Sequence, residues 1–254
     1  MTRSALRLFA MTVTLTFSHL ASAAEVKVYS TIGVKSALEE LVPQFENATG
    51  NKVAVSWGLI SSFTKKAQDG DVPDVLIVSH ASIDNLIKDG KIAAGSSATL
   101  GTSVFAIGVK KGAPKPDIST PEALKKALLS ARAVGYTNPA AGGASGVYFA
   151  KVLERLGIAD EIKPKSKFPP PAGFVGALLV NGDVDLAVQS KPELTTTKGV
   201  EVVGPLPGDL GRTTVFAAGV GAHASNAAAS GALVKFLTSP EGQAVFKAKG
   251  FDPG

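Results

Sequence analysis

Four short turns carry the side chains best suited to chemistry. They are Ser30-Thr31-Ile32-Gly33, Gly58-Leu59-Ile60-Ser61-Ser62, the glycine-rich run from Thr137 to Gly146 that includes Ser145, and Gln189-Ser190. Each follows an apolar run, at the point where a strand would end and a helix begin. Free backbone N–H groups and hydroxyls in such places hold an anion without a full positive charge. Serine and threonine are also the commonest helix caps, so for any one turn capping alone is the stronger reading. Four of them at the same end of the strands point to a shared ligand.

His80 is the one residue placed to act as an acid or base, because it follows the apolar run 75–78. A neutral imidazole near pH 7 moves protons, but a binding or capping role fits the same position. Trp57 ends another apolar run and suits either a cleft wall or the core. Beyond the first residues the arginines are Arg132, Arg155 and Arg212, and Arg212 is the one expected nearest a cleft. No metal site is expected: cysteine is absent and His80 and His223 are far apart in sequence. The turn ending at Gly146 has neither the spacing of a dinucleotide fingerprint nor that of a nucleophile elbow.

The elements that must position these turns alternate in type. Strands are expected at 26–29, 53–57 and 75–78, with helices at 34–49, 62–69 and 83–88 between and after them. Leu38, Leu41, Val42 and Phe45 give the first helix one apolar face. A second β/α set follows: strands at 104–109, 133–136, 186–189 and 200–203, and helices at 121–130, 146–156 and 174–181. Thr120 and Pro121 form a typical helix start. A strand at 214–219 and helices at 226–237 and 241–248 complete the chain. The pattern predicts an α/β protein of parallel β-α-β units in two lobes. The expected division is residues 24–103 plus 216–254 for one lobe and 104–215 for the other, with 104–109 and 214–219 as crossing strands.

The opening residues predict export. Arg3 and Arg7 precede a mostly apolar stretch from Leu8 to Leu20, and Ala21-Ser22-Ala23 offers the small residues of a cleavage site. The stretch is shorter than the ~20 residues a bilayer needs, so residues 1–23 read as a signal peptide cleaved after Ala23. A net charge of +5 then falls to +3, which does not suggest nucleic acid, and no basic block is interleaved with aromatics. Without cysteine there is neither a disulfide nor a lipid-anchored cysteine. The expectation is a free, monomeric periplasmic protein with no cofactor and no membrane anchor.

Specific runs carry a resemblance. Ser30-Thr31-Ile32, Ser61-Ser62 and Pro73-Asp74-Val75-Leu76-Ile77 resemble the first lobe of the molybdate-binding proteins of ABC transporters. Ser145 through Lys151, Gly182 through Val188, and Ser239-Pro240-Glu241-Gly242-Gln243 continue it over nearly the whole exported chain. The resemblance implies a type II periplasmic-binding-protein fold, a small anionic ligand and an ABC permease as partner. It places the ligand donors at Ser30, Thr31 and Ile32, at Ser61 and Ser62, at Ser145 and the Gly146 backbone, near Gly173, and at Gln189 and Ser190. The family has a tyrosine where Ser190 stands, and the glycine-rich turn is longer here. These departures suit a larger, planar organic anion. A periplasmic aconitate isomerase resembles the same branch, which makes an isomerase with His80 as its base the alternative to a transport protein.

Overall fold

The computed structural model describes residues 24–141, 144–170 and 173–253. The expected signal peptide lies outside the described residues, as does the Gly142-Gly143 pair of the glycine-rich turn.

The first half of the chain runs β1 (Glu25–Thr31), α1 (Lys35–Thr49), β2 (Lys52–Gly58), α2 (Ile60–Gln68), β3 (Val75–Ser79), α3 (His80–Lys88) and β4 (Ala98–Lys110). A middle set follows: α4 (Pro121–Ser130), β5 (Val134–Tyr136), α5 (Ala144–Leu156), α6 (Ala159–Ile162), β6 (Ser166–Lys167), α7 (Gly176–Asn181), β7 (Leu186–Ser190), α8 (Lys191–Thr196) and β8 (Val200–Pro205). The chain then closes with β9 (Thr213–Val220), α9 (Ala227–Leu237) and α10 (Pro240–Ala248).

The strand order is β2-β1-β3-β9-β4-β7-β5-β6, with β8 also paired to β4. In the first lobe β1 is parallel to β2 and β3, and β9 runs antiparallel beside β3. Val26, Val28, Val75 and Ile77 face a core closed by α1, α9 and α10, while Tyr29, Leu76 and Val78 face α2 and α3. Neighbouring residues of one strand therefore enter opposite cores, so these strands are apolar on both faces. The second lobe repeats the arrangement. Ile107, Val134 and Val188 meet α4 and α5, while Ala106, Ala187 and Val175 belong to the core with Leu179 and Leu194.

β4 joins the lobes. Ala98 to Val104 pair with β9, and from Phe105 onward the same strand pairs with β7 and β8. β4 begins six residues before the run expected at 104–109, because the extra pairing comes from β9 rather than from apolar periodicity. The second crossing also differs from expectation. β9 pairs along its length with β3 and the first half of β4, so the return lies in the segment between β8 and β9. There Leu206 N–H donates to Phe105 O at 3.0 Å.

One buried carboxylate pins the first lobe. Asp74 is 7% exposed. Its Oδ2 accepts from Lys27 N–H at 2.8 Å, and its Oδ1 accepts from Ser225 N–H at 2.6 Å and from the Ser225 hydroxyl at 2.8 Å. Burial opposes its charge, but these donors outweigh burial and hold the carboxyl below its ordinary value. Asp74→Ala strands two backbone donors and should cost about 3 kcal/mol, which lowers Tm by roughly 6–12 °C at this size. A depressed folded-state pKa means the stabilisation is present above about pH 4 and is lost as pH falls through the folded value. Denaturant titrations should therefore show wild type and variant converging in acid.

Candidate functional site

A cleft of about 1080 Å³ opens between the lobes at the carboxyl ends of the parallel strands. Strand ends in a parallel sheet aim helix starts at the same opening, which is where ligands of such sheets bind. From the first lobe Thr31, Ile32, Gly33, Ser61, Ser79 and Ser82 line it. The second lobe contributes Thr137, Asn138, Ser145, Gly173, Gln189 and Ser190, and the hinge contributes Ser103, Phe105, Arg212 and Phe216. A smaller depression of about 330 Å³, lined by Pro121, Arg155 and Asp209, shares none of these residues.

Local structure leaves part of this lining free to bind. The Thr31 hydroxyl accepts from Gly33 N–H at 3.3 Å and closes the turn after β1. α2 has Leu59 at its N-cap with no side-chain bond there, so its first N–H groups carry no side-chain cap at the cleft. Thr64 also lines the cleft, and its buried hydroxyl has no hydrogen-bond partner among the described residues. The Thr137 and Ser145 hydroxyls bond to each other at 3.0 Å across the second lobe's wall. Gln189 Oε1 accepts from Val175 N–H at 3.0 Å, and its side chain also bonds the Glu193 carboxyl.

Three cations and one acid line the cleft among the described residues: Lys35, Lys65, Arg212 and Glu193. Lys35 Nζ lies 5.7 Å from the centre of the Trp57 ring and 3.6 Å from Glu39. Lys65 pairs with Asp69 at 2.9 Å. The Arg212 guanidinium sits 5.4 Å from the Tyr148 ring centre. Trp57, Phe105, Phe174 and Phe216 give the same cavity aromatic walls. Hydroxyls and amides at turns, cations at the edges and aromatic faces between them can hold a carboxylate-bearing molecule with an apolar or conjugated skeleton.

Of the candidates named from sequence, Thr31, Ile32, Ser61, Ser145, Gly173, Gln189 and Ser190 come together on this lining. Four do not. Ser30 is fully buried and donates to Thr31 O at 3.2 Å. Ser62 falls off the face that α2 turns to the cleft, which is formed by Ile60, Ser61, Thr64, Lys65 and Gln68. Gly146 is buried behind Ser145, against the Thr137 carbonyl. His80 opens α3, but its ring lies between Thr99 Oγ1, 3.1 Å from Nδ1, and Asp84, 3.4 Å from Nε2. The cleft side of α3 is taken by Ser79 and Ser82. Glu193, Lys35 and Thr64 were not singled out from sequence. The spacing Ser190-x-x-Glu193 was the available signal for the first of them.

A model of the bacterial extracellular solute-binding protein family matches residues 26–252. An aconitate isomerase from a Pseudomonas species is 29% identical over 232 residues, covering 89% of this chain and 87% of its own. The molybdate-binding protein of Escherichia coli is 23% identical over 234 residues, covering 91% and 90%. Among solved structures, the periplasmic molybdate-binding protein of Azotobacter vinelandii superposes with a TM-score of 0.68 at 20% identity, over 90% of this chain and 99% of that one. The expected architecture of two β/α lobes around a cleft is the fold these structures share. Among the described residues no helix is long and apolar enough to cross a membrane.

Proposed function

The chain belongs to the bacterial extracellular solute-binding protein family, and from that premise we propose that it captures a small organic carboxylate in the cleft and hands it to an ABC permease. The observation carrying the ligand class is the composition of the lining. Hydroxyl and amide groups stand at the strand ends, Lys35 and Arg212 bring positive charge, and Trp57, Phe105, Phe174 and Phe216 supply apolar faces. A bare tetrahedral oxyanion is satisfied by dipoles alone and has no use for four aromatic rings or so large a cavity. Export through cleavage after Ala23 belongs to the same reading. With the lobes joined through β4 and the return between β8 and β9, ligand draws them together by a hinge motion.

The test is calorimetry with molybdate, sulfate, citrate and trans-aconitate, followed by small-angle scattering on whatever binds. The expected result is micromolar or tighter binding of a di- or tricarboxylate, weaker binding of the inorganic ions, and a smaller radius of gyration at saturation. Tight binding of molybdate with no carboxylate bound would overturn the ligand class. An unchanged radius at saturation would overturn hinge closure.

A second reading is favoured by the similarity to an aconitate isomerase: the cleft shifts a proton on an unsaturated tricarboxylate, with a base other than His80, whose ring lies off the lining. It predicts deuterium incorporation into trans-aconitate in heavy water. His80→Gln should leave that rate within a few-fold of wild type, where loss of a general base would lower it by about 10²–10⁴-fold. The transport reading expects binding without incorporation.

A further inference from the structure

Among the described residues that line the cleft, Glu193 is the one acid, in a site whose other polar groups suit an anion. A carboxylate there would repel a carboxylate ligand, and two such charges at close range do not both persist away from water. The placement of Glu193 sharpens the conflict. It is the third residue of α8, and α8 packs on β4, β7 and β8 of its own lobe and on α1 and the 32–34 turn of the other. Glu193 is thus half-buried between the lobes and reaches solvent through the cleft.

The spacing Ser190-x-x-Glu193 is that of a capping box, in which the serine hydroxyl bonds the helix backbone and the glutamate bonds the serine N–H. Only half of that arrangement forms. The Ser190 N–H reaches the Glu193 carboxyl. The Ser190 hydroxyl makes no bond to the helix and points instead to Glu193 Oε2. Capping therefore does not account for the pair.

The charges on neighbouring elements are committed elsewhere. Lys110 of β4 donates to Val180 O at 2.9 Å, and Glu201 of β8 pairs with Lys115. On α1, Lys35 pairs with Glu39, Glu40 with Lys249 and Glu46 with Lys52. Lys191 of α8 itself pairs with Asp252. β7 carries no titratable group. Lys65 and Arg212 face the same cavity from α2 and the hinge. Burial pushes the Glu193 carboxyl up, and the hydrogen bonds from Ser190 and Gln189 offset this only in part.

We infer that Glu193 holds the ligand as a neutral acid, donating its proton in a hydrogen bond to a ligand carboxylate, so that capture of the anion takes up a proton wherever Glu193 is ionised beforehand. The inference rests on the organic-carboxylate reading above. Where Glu193 is ionised before binding, one proton from solvent enters the complex and forms the Glu193 O–H bond. The neutral acid then selects for an acceptor and against a cation. Affinity is level at pH values below the folded-state pKa of Glu193 and falls by up to tenfold per pH unit above it.

The probe is trans-aconitate, whose own carboxyls are ionised above about pH 6. Calorimetry from pH 6 to 9, in two buffers of different ionisation heat, reads affinity and proton uptake together. Wild type should lose affinity as pH rises while uptake approaches one proton per ligand. Glu193→Gln keeps a donor and cannot titrate, so its profile should be flatter, with no uptake. Glu193→Asp should keep the pH dependence at lower affinity. A level wild-type profile without uptake, with trans-aconitate bound, overturns the proton-donating role and leaves carboxylate capture standing. An uptake that persists in Glu193→Gln overturns it as well. Failure of wild type to bind trans-aconitate at any pH overturns the carboxylate reading and this inference with it.

Discussion

Gly146→Ala should abolish ligand binding, with affinity lowered at least about 100-fold, and should destabilise the protein by about 3 kcal/mol. A Cβ built at Gly146 lies 1.9 Å from the Thr137 carbonyl oxygen and 2.7 Å from its carbon. Both atoms are backbone, so no side chain can swing aside to make room. Either α5 or the segment after β5 must shift by more than an ångström. That shift breaks the 3.0 Å contact between the Thr137 and Ser145 hydroxyls and displaces Asn138. All three residues line the second lobe's side of the cleft. Gly231 is the matched control, since a Cβ there meets nothing within 4 Å. Gly231→Ala, in the exposed interior of α9, should leave affinity unchanged and raise Tm by about 1–4 °C. Binding by Gly146→Ala within a few-fold of wild type would show that this wall does not hold the ligand.

The same residues show what could be read without coordinates. The two-lobed α/β plan followed from alternating apolar runs, because each lobe buries both faces of its sheet and each strand therefore reads as continuous apolar sequence. The first half of β4 was not legible. Ala98 to Val104 are a strand because β9 pairs with them, and that partner lies more than a hundred residues away in sequence. Cleft-lining residues at strand ends were legible to within one position, and the displacements have a common physical form. Thr31 faces the cleft and Ser30 is turned inward, as alternation along a strand requires. Ser61 faces it and Ser62 does not, and Ser79 and Ser82 face it while His80 does not, because helical phase turns adjacent residues about 100° apart. Sequence locates the turn; the phase that selects the side chain is set by packing against the rest of the lobe. Glu193 was missed for a different reason. Its spacing from Ser190 matches an ordinary capping box, and only the packing of α8 against the opposite lobe places its carboxyl in the cleft.

Arg212→Glu should lower affinity for a di- or tricarboxylate by at least about 100-fold with little change in Tm. Arg212 lies where the chain returns to the first lobe, just before β9, and it lines the cleft. Its guanidinium rests on the Tyr148 ring. That ring packs against Phe105, 5.2 Å between centres, and its hydroxyl donates to the carbonyls of Leu210 and Gly211 at 3.2 and 3.3 Å. The charge is therefore held at the hinge before ligand arrives, and less side-chain freedom is lost on binding. A unit charge about 6 Å from a carboxylate is worth roughly 3 kcal/mol at an effective dielectric near 20. Reversal turns that attraction into repulsion, but Arg212 is exposed in the open cleft, so solvent screening reduces the effect. A net loss of about 3 kcal/mol corresponds to the 100-fold expected. Arg212→Lys keeps the charge and loses the planar stack and forked donors, so it should fall between, at roughly five- to tenfold. Lys88→Glu makes the same charge change at an exposed site on α3 outside the cleft lining and should leave affinity unaltered. Calorimetry at low and at moderate salt decides the matter: the wild-type advantage over Arg212→Glu should shrink as salt rises. An equal loss from Lys88→Glu would assign the effect to overall charge and remove Arg212 from the site.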